Sequence, residues 1–242
     1  MDLKGKVAVV TGATGGIGRE IVKKLDEEGA QIILVSKNET ELQNLLQTLK
    51  NKISKYYVCD FNNQEETEKV AKNIADEFNK IDLLINSAGI GIYKTIEEIS
   101  LDEWNMALNI NLNSVFIMTK ELLPSLSGSE KSMVINMGSG SGLIPIASRS
   151  SYCTSKFALR GLTLSLTEEF KRFENPKFVL INLGSVLTGF GPLSYEEKVK
   201  LMESGKYYIT PEWVANQISS IILKENPEIE YDFLNPGFKP WT

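Results

Sequence analysis

The sequence predicts an α/β fold in which a doubly wound parallel sheet carries helices on both faces. Short runs of apolar, mostly β-branched residues alternate with longer segments of helical periodicity along most of the chain. The short runs show no polar alternation, which is typical of strands that are buried on both faces. A repeated order of strand and then helix predicts parallel strands that are joined by crossover helices.

The same pattern places the elements along the chain. The predicted strands are residues 7–10, 32–35, 56–59, 83–85, 133–137 and 178–181. The predicted helices are residues 17–28, 39–50, 64–79, 101–125 and 150–173. Because 242 residues suffice for one sizeable core and no low-complexity linker interrupts them, we expect a single domain over residues 1–242.

Composition excludes several classes of function. A net charge of −5 argues against a nucleic-acid surface, which needs a concentrated basic face. The absence of histidine removes His-dependent catalytic triads and His-ligated metal sites, so we expect no metal. Cys59 and Cys153 lack CxxC spacing and are predicted to be small buried residues rather than a disulfide. Without a signal-like or membrane-spanning apolar run, we expect a cytoplasmic protein that contacts no membrane.

A glycine-rich turn, residues 11–18, follows the first predicted strand. In this turn Gly12 permits a tight bend, Gly16 lets the backbone approach a pyrophosphate, and Gly18 lets the next helix pack closely on the sheet. Free N–H groups at the start of that helix attract phosphates. The alternative is an ordinary tight turn, but the position after the first strand favours a dinucleotide site. Its predicted residues are Gly12, Thr14, Gly16, Ile17 and Gly18.

Further motifs follow in order along nearly the whole chain. They are Asp60 after the third strand, Asn86-Ser87-Ala88-Gly89 after the fourth, Asn111, Ser139, Tyr152-Cys153-Thr154-Ser155-Lys156 and Asn182-Leu183-Gly184-Ser185-Val186-Leu187-Thr188. With the TGxxxGxG turn, these motifs resemble those of the short-chain dehydrogenase/reductase family. Ser87 departs from that family's NNAG motif, and Leu183 departs from its NPGxVxT motif.

The resemblance implies a Rossmann-type fold and an oxidoreductase that moves a hydride between a nicotinamide dinucleotide and a carbonyl or alcohol group. It implies that Tyr152 is the acid/base, that Ser139 holds the substrate oxygen, and that Lys156 tunes Tyr152 and binds the nicotinamide ribose. It also implies that Asn111 anchors a water that joins Lys156 to solvent. The remaining implied cofactor contacts are Asp60 to adenine, Asn86, Ala88 and Gly89 after the fourth strand, and Val186 and Thr188 to the carboxamide.

The Tyr152 and Lys156 pair also has a physical interpretation of its own. Residues four apart share one face of a helix. A lysine cation there favours tyrosinate and is expected to lower the pKa of the phenol below about 10. Tyr152 would then exchange protons near neutral pH. The alternative is a tyrosine that merely packs on a lysine stem, which leaves the other motifs unexplained.

Three other candidates have structural alternatives. Ser139 lies in a glycine–serine run, 138–142, that is also typical of a flexible loop; its interval to Tyr152 favours it over Ser141. Asn111 could instead cap or kink a helix. Asp60 could instead be the N-cap of the helix that begins near residue 63, and the local sequence supports either interpretation.

The end of the second strand predicts the choice of cofactor. NAD enzymes place an acid there to bind the ribose hydroxyls, whereas this chain has Ser36, followed by Lys37. Nothing at Ser36 repels a 2′-phosphate, and Lys37 offers a cation, although lysine lacks the bidentate fork of arginine. Glu39 is expected in the first turn of the next helix, pointing at solvent. The sequence therefore favours NADP(H), unless Lys37 is only a solvated surface charge.

Residues 184–210 form a long, aromatic segment that predicts a substrate-binding loop. The predicted pocket walls are residues 90–93, residues 143–146, and Phe190, Leu193, Tyr195, Met202, Tyr207 and Tyr208 in that loop. These walls are apolar and contain no arginine, which favours a small, largely apolar ketone or aldehyde. Lys198, Lys200 and Lys206 leave open a carboxylate or a phosphopantetheine at the rim.

The helices over 101–125 and 150–173 carry apolar residues on more than one face, which predicts burial beyond the sheet. The resembled family pairs these helices between subunits, so we expect a homodimer or homotetramer. The alternative function is a dinucleotide-binding sensor without turnover. The intact Ser139, Tyr152 and Lys156 set argues against a sensor, whereas the departures at Gly138, Ser87 and Leu183 are its only support.

Overall fold

Seven parallel strands form one sheet in the order β3-β2-β1-β4-β5-β6-β7. A computed structural model describes residues 1–173 and 175–239. The strands are β1 (Val7–Thr11), β2 (Gln31–Ser36), β3 (Lys55–Val58), β4 (Leu83–Asn86), β5 (Met133–Ser139), β6 (Lys177–Leu183) and β7 (Glu230–Phe233). The predicted parallel sheet is therefore confirmed, and it has one strand more than the sequence predicted.

Helices cover both faces of this sheet. They are α1 (Gly16–Glu27), α2 (Glu39–Thr48), α3 (Gln64–Glu77), α4 (Leu101–Leu108), α5 (Ser114–Ser127), α6 (Ser150–Phe170), α7 (Tyr195–Glu203) and α8 (Pro211–Leu223). Side chains of α1, α2 and α8 share one core layer, whereas those of α3, α5 and α6 share the opposite one. Over residues 1–173 and 175–239, no helix is both long enough and apolar enough to cross a bilayer.

The strands divide their side chains between the two layers. In β1, Ala8 and Val10 belong to the layer under α1, and Val9 belongs to the layer under α5. This is the alternation that strand geometry imposes, here with apolar residues on both sides. β3 is the exception: Lys55 and Val58 are exposed because β3 is an edge strand. The expectation of burial on both faces is wrong for this strand.

β7 was not predicted because its sequence contains two acids and shows no continuous apolar run. Tertiary partners hold it beside β6. Arg160 donates to both carboxylate oxygens of Glu230, at 2.7 and 2.9 Å. The Asn182 amide donates to Glu230 at 2.7 Å and to Asp232 at 2.8 Å. A polar strand is therefore fixed by charged hydrogen bonds from β6 and α6.

Two predicted segments differ from the structure. The helix expected over 101–125 is two helices, α4 and α5, separated by a π-helical turn at Asn109–Asn113. The loop expected over 184–210 contains the helix α7, whose start has a capping box between Ser194 and Glu197. That S-x-x-E pattern is visible in the sequence and is the signal that would have predicted α7.

The strand order creates a crevice at one edge of the sheet. β1 and β4 are neighbours, yet the helix after β1 covers one face and the helices after β4 cover the other. Ligands of doubly wound folds bind at such a switch point, outside the carboxyl ends of the strands. The glycine turn and the residues after β4 both lie there.

We predict that Glu230→Gln destabilises the protein by roughly 1–3 kcal/mol at pH 7, the usual value of a hydrogen bond to a charged group. The pKa of Glu230 is lowered, first by its hydrogen bond from Arg160. A carboxyl group with a lowered pKa stabilises the folded state at any pH above its pKa in the unfolded chain, which is about 4.3. This stabilisation is lost as the pH falls through the pKa of the same group in the folded state. The difference from wild type is therefore expected to shrink below about pH 4, as measured by urea unfolding.

Glu228→Gln is the matched control. Glu228 is exposed in the same segment, and removing its charge alters the net charge equally. Equal unfolding free energies for the two variants would contradict the assigned role of Glu230.

Candidate active site

The glycine turn after β1 packs directly on the turn after β4. Gly12 has a φ of 64°, and a Cβ there would lie 2.7 Å from Cα of Ala88. The Thr11 hydroxyl oxygen accepts hydrogen bonds from the N–H groups of Ser87 and Ala88, at 3.1 and 3.2 Å. A Cβ on Gly18 would lie 2.1 Å from the carbonyl oxygen of Gly12. Only glycine fits these two positions, as the sequence predicted.

The start of α1 is shaped to receive an anion. Its N-cap, Gly15, provides no side-chain hydrogen bond, so the amide groups of the first turn remain available. A Cβ on Gly16 would lie 2.6 Å from Cγ2 of Thr188, so a side chain at this position would also collide with a neighbour. The uncapped helix start and its glycine cradle fit a dinucleotide pyrophosphate.

Tyr152 lies at the wall of a cavity of about 380 Å³ above the carboxyl ends of β4, β5 and β6. It is buried, with its ring 5.5 Å from that of Tyr93 and 5.8 Å from that of Phe190. Burial raises the pKa of its phenol, and neighbouring Tyr93 adds to this; Ser139 and Arg149 act in the opposite direction. Tyr152 is therefore a neutral phenol at pH 7.

Lys156 is also buried, one helical turn after Tyr152. Its Nζ donates to the carbonyl oxygen of Met137 at 2.8 Å and lies 5.9 Å from the Tyr152 ring centre. Burial lowers the pKa of Lys156 to about 8. The expectation that Lys156 brings the Tyr152 pKa below its usual value is wrong for this structure, because burial raises that pKa and the Lys156 ammonium group donates to the Met137 carbonyl rather than to the phenol.

Ser139 is the last residue of β5, which places its hydroxyl at the same edge of the sheet as Tyr152. The oxygen accepts a hydrogen bond from the N–H of Ser141 at 3.1 Å. Ser139 and Ser141 both contribute to the cavity wall. The glycine–serine run is thus a strand end and a short 3₁₀ turn at Gly140–Gly142 rather than a flexible loop.

Asn111 lies in the π-helical turn between α4 and α5 and is fully buried. Its amide nitrogen donates to the Ile90 carbonyl at 2.9 Å and to the Ser155 hydroxyl at 3.0 Å, and its oxygen accepts from the Ile90 N–H at 2.8 Å. Asn111 therefore joins the chain after β4 to α6. The helix does deviate at Asn111, as one interpretation predicted, and the side chain also connects two elements of the site.

The alternative role of Asp60 as an N-cap is wrong. Asn63 caps α3, its side chain accepting from Glu66 N–H at 3.1 Å, whereas the Asp60 carboxylate accepts from Asn62 N–H at 3.0 Å. Asn86 faces along the sheet, where its amide donates to Asn136 of β5 at 2.8 Å. Asp60 thus remains available to a ligand through part of its carboxylate, while Asn86 organises the sheet edge.

The cavity wall contains eight of the predicted site residues: Ile17, Ala88, Gly89, Ser139, Tyr152, Lys156, Val186 and Thr188. The others lie outside that wall, around the neighbouring groove and in the core: Gly12, Thr14, Gly16, Gly18, Ser36, Lys37, Asp60, Asn86 and Asn111. The structure therefore brings together Ser139, Tyr152 and Lys156, predicted for chemistry, with residues predicted for the nicotinamide end of a cofactor, whereas Asn111 lies behind the wall.

The substrate side of the wall is less apolar than predicted. Tyr93, Ile144, Ile146, Phe190, Leu193 and Tyr208 lie in it as expected, but Tyr195, Met202 and Tyr207 do not. Arg149 also lies in the wall, so the expectation of a pocket without arginine is wrong. Its place could have been inferred from the sequence, since it comes three residues before Tyr152 at the start of the same helix. Ser148 before it has a φ of 59°, which is uncommon for a residue other than glycine.

The segment 184–210 is held over the cavity by contacts within the segment and by Asn235 outside it. Val186 and Ile209 form a parallel bridge that joins its two ends. Asn235, after β7, accepts from the Ser185 N–H at 2.7 Å and donates to the Tyr207 carbonyl at 3.1 Å. Lys198 of α7 donates to the carbonyl oxygens of Thr188 and Phe190. Asn235 was missed because no local signal connects it to this segment.

Comparisons with known proteins identify the family of this chain. The family model described as short chain dehydrogenase matches residues 6–197. An uncharacterized oxidoreductase of Staphylococcus epidermidis is 34% identical over 170 residues, which are 70% of this chain and 74% of that protein. A 3-oxoacyl-[acyl-carrier-protein] reductase of Vibrio cholerae is 34% identical over 169 residues, which are 70% of this chain and 69% of that protein.

Solved structures share the fold. An alcohol dehydrogenase from the archaeon Thermococcus sibiricus, complexed with 5-hydroxy-NADP, is 24% identical with a TM-score of 0.83, covering 99% of this chain and 100% of that chain. A short chain dehydrogenase/reductase from Burkholderia phymatum, in complex with NAD, is 23% identical with a TM-score of 0.82, covering 95% and 90%. The chain belongs to the short-chain dehydrogenase/reductase family and is an NAD(P)-dependent oxidoreductase.

Proposed function

We propose that this protein is an NADP(H)-dependent carbonyl reductase in which Tyr152 is the general acid. One observation carries the proposal: a buried, neutral Tyr152 lies in the same cavity wall as Ser139 and Lys156 and beside the start of α1. A nicotinamide dinucleotide bound along the glycine turn would supply the hydride. The segment 184–210 is proposed as the substrate-binding part of a single domain.

The protein's own residues would manage the proton. The Tyr152 hydroxyl donates to the substrate's carbonyl oxygen and transfers its proton as charge develops there. The Ser139 hydroxyl donates a second hydrogen bond to the same oxygen. Lys156, held by the Met137 carbonyl, offers a cation that stabilises the tyrosinate left behind. The same groups run in reverse for alcohol oxidation, in which Tyr152 must first lose its proton.

The groove beside β2 supports a preference for NADP(H). Ser36 is buried, and its hydroxyl lies 2.8 Å from that of Thr14, so no carboxylate stands where it would repel a 2′-phosphate. Lys37 is exposed next to it. Arg19 is a second cation near this groove, and sequence reasoning missed it. Its guanidinium donates to the Thr14 carbonyl at 3.3 Å and pairs with Glu41 at 3.7 Å. Glu39 lies in the first turn of α2, as predicted.

We also propose that two copies pair through α5 and α6. Some of the apolar residues on these helices, including Met118 and Leu159, are buried in the protein's own core. Phe116 and Phe157 remain 50% and 41% exposed. Gly161, one turn after Phe157, has open space beside it, which would let a second helix approach closely.

Tyr152→Phe is expected to retain the fold and cofactor affinity but to lose at least about 99% of kcat, because only the proton-donating oxygen is removed. Turnover is followed by NADPH oxidation with a panel of ketones and aldehydes, and cofactor affinity by fluorescence titration. Retention of more than a few per cent of kcat would show that another group donates the proton. Wild-type protein that binds NADPH but reduces nothing would favour a sensor.

We expect wild type to have a higher kcat/KM for NADPH than for NADH, and Ser36→Asp/Lys37→Ile to reverse the preference by roughly 10- to 100-fold. That range corresponds to the loss of one charge-assisted hydrogen bond. Lys80→Asp, at an exposed lysine that follows α3, lowers the net charge by the same two units and is the control for the change in net charge. The proposed preference for NADP(H) is contradicted if wild type prefers NADH, or if the double variant leaves the ratio of kcat/KM for NADPH to that for NADH unchanged.

Sedimentation is expected to show an oligomer at micromolar concentration, and Phe157→Glu is expected to convert it to monomers by placing a charge in the apolar contact. Phe173→Glu is the matched control, since Phe173 is even more exposed than Phe157 but follows the far end of α6. A monomeric wild type would rule out the contact. Equal dissociation by both variants would place it elsewhere.

A further inference from the structure

Several cations line the cavity around Tyr152. Arg149, Lys156, Lys198 and Lys206 lie in its wall, and among residues 1–173 and 175–239 no Asp or Glu does. This is an unusual concentration in a protein with a net charge of −5, and a water-poor cleft with one sign of charge attracts an oppositely charged ligand. The question is which of these cations is available to such a ligand.

Two of the four already have partners. Lys156 donates to the Met137 carbonyl, and Lys198 donates to the carbonyls of Thr188 and Phe190. Lys206 extends over the ring of Tyr208, 5.4 Å from its centre, at the exposed rim. Arg149 is therefore the half-buried cation that faces the cavity with unused donors.

The surroundings of Arg149 hold its guanidinium in place and leave its N–H groups unpaired. The guanidinium carbon lies 4.2 Å from the ring centre of Tyr93, whose ring is in edge contact with Tyr152. Stacking on an aromatic ring stabilises the positive charge of a guanidinium, but it provides no hydrogen-bond acceptor for the N–H groups in the guanidinium plane. Across the described ranges, 1–173 and 175–239, no hydrogen bond or ion pair reaches this guanidinium, whereas Arg19 and Arg160 pair with Glu41 and Glu230.

We propose that Arg149 binds a carboxylate of the substrate, so that the preferred substrates are oxo acids with an apolar remainder. This proposal specifies the substrate class of the proposed carbonyl reduction and rests on that reduction. A planar guanidinium matches the two oxygens of a carboxylate, and one ring separates it from the ring of Tyr152. A carbonyl at Tyr152 and a carboxylate at Arg149 then belong to one small molecule.

The rest of the wall fits the remainder of such a molecule. Ile144, Phe190 and Leu193 lie in the wall and offer apolar contact. The cofactor's phosphates have their own cradle at the start of α1, whereas Arg149 precedes α6. A phosphate-bearing substrate would need more charge than one guanidinium on an aromatic ring supplies, which favours a carboxylate.

Binding and turnover are measured separately. Calorimetry on NADPH-saturated protein compares 4-phenylbutanoate with 4-phenylbutanamide, which differ in the anion alone. NADPH oxidation compares 2-oxo-4-phenylbutanoate with its ethyl ester. In wild type we expect 4-phenylbutanoate to bind at least about tenfold more tightly than its amide. We expect the oxo acid to have a kcat/KM at least about tenfold above that of its ester. A factor of this size is what one hydrogen bond between charged groups contributes.

Arg149→Met is expected to abolish both preferences, so that the anion-to-amide ratio of affinities and the acid-to-ester ratio of kcat/KM each fall to within about threefold of one, whatever the absolute rates become. Arg149→Lys retains the positive charge but lacks the paired N–H donors of a guanidinium, so it should show part of the preference that Arg149→Met loses. Arg172→Met is the matched control: Arg172 also stacks on an aromatic ring, Phe173, at 4.5 Å, but it lies outside the cavity wall. It should leave both preferences intact. Thermal unfolding confirms that the variants are folded.

The outcomes separate this inference from the proposed reduction. Equal binding of anion and amide to wild type, or a preference that survives Arg149→Met, overturns the carboxylate site whether or not ketones are reduced. Loss of the preference in Arg172→Met also overturns it, because the effect would then be one of net charge. An Arg149-dependent preference in binding without turnover supports the anion site and counts against the reductase. Tyr152→Phe should bind the anion as wild type does.

Discussion

The site depends on the close approach of two backbone turns, the one after β1 and the one after β4. Gly12 allows its main chain to pack on Ala88, and the Thr11 hydroxyl joins the two turns by accepting from two N–H groups. This contact fixes where the crevice opens, since the helices after the two strands depart to opposite faces. A side chain at Gly12 or Gly18 would push the turns apart and displace the start of α1 from the cavity.

Burial then determines the chemistry that this crevice supports. Tyr152 is surrounded by the rings of Tyr93 and Phe190, and the desolvation of its phenol favours the neutral form. The same burial lowers the pKa of Lys156 and turns its ammonium group to a carbonyl oxygen. A protonated phenol beside a buried cation is suited to giving up a proton when negative charge develops nearby.

The segment over the cavity is ordered by its own internal contacts and by one residue from farther along the chain, Asn235. The bridge between Val186 and Ile209 closes it, and Lys198 ties α7 to the main chain of the segment's first part. Asn235 connects it to the residues after β7, whose own place depends on Arg160 and Asn182. One series of polar contacts therefore runs from α6 through β7 to the segment that covers Tyr152.

The sequence by itself determined the parallel sheet, the glycine turn and the spacing of Ser139, Tyr152 and Lys156, because each depends on local periodicity or on the geometry of a single turn or helix. Tertiary structure decided what local pattern does not encode. β7 has a polar sequence that becomes a strand only beside β6, and Asn86 turns to Asn136 because β5 lies next to β4. The Tyr152 pKa rises because rings from distant segments exclude water from the phenol. Arg149 faces the cavity because the chain turns at Ser148 and Tyr93 receives its guanidinium.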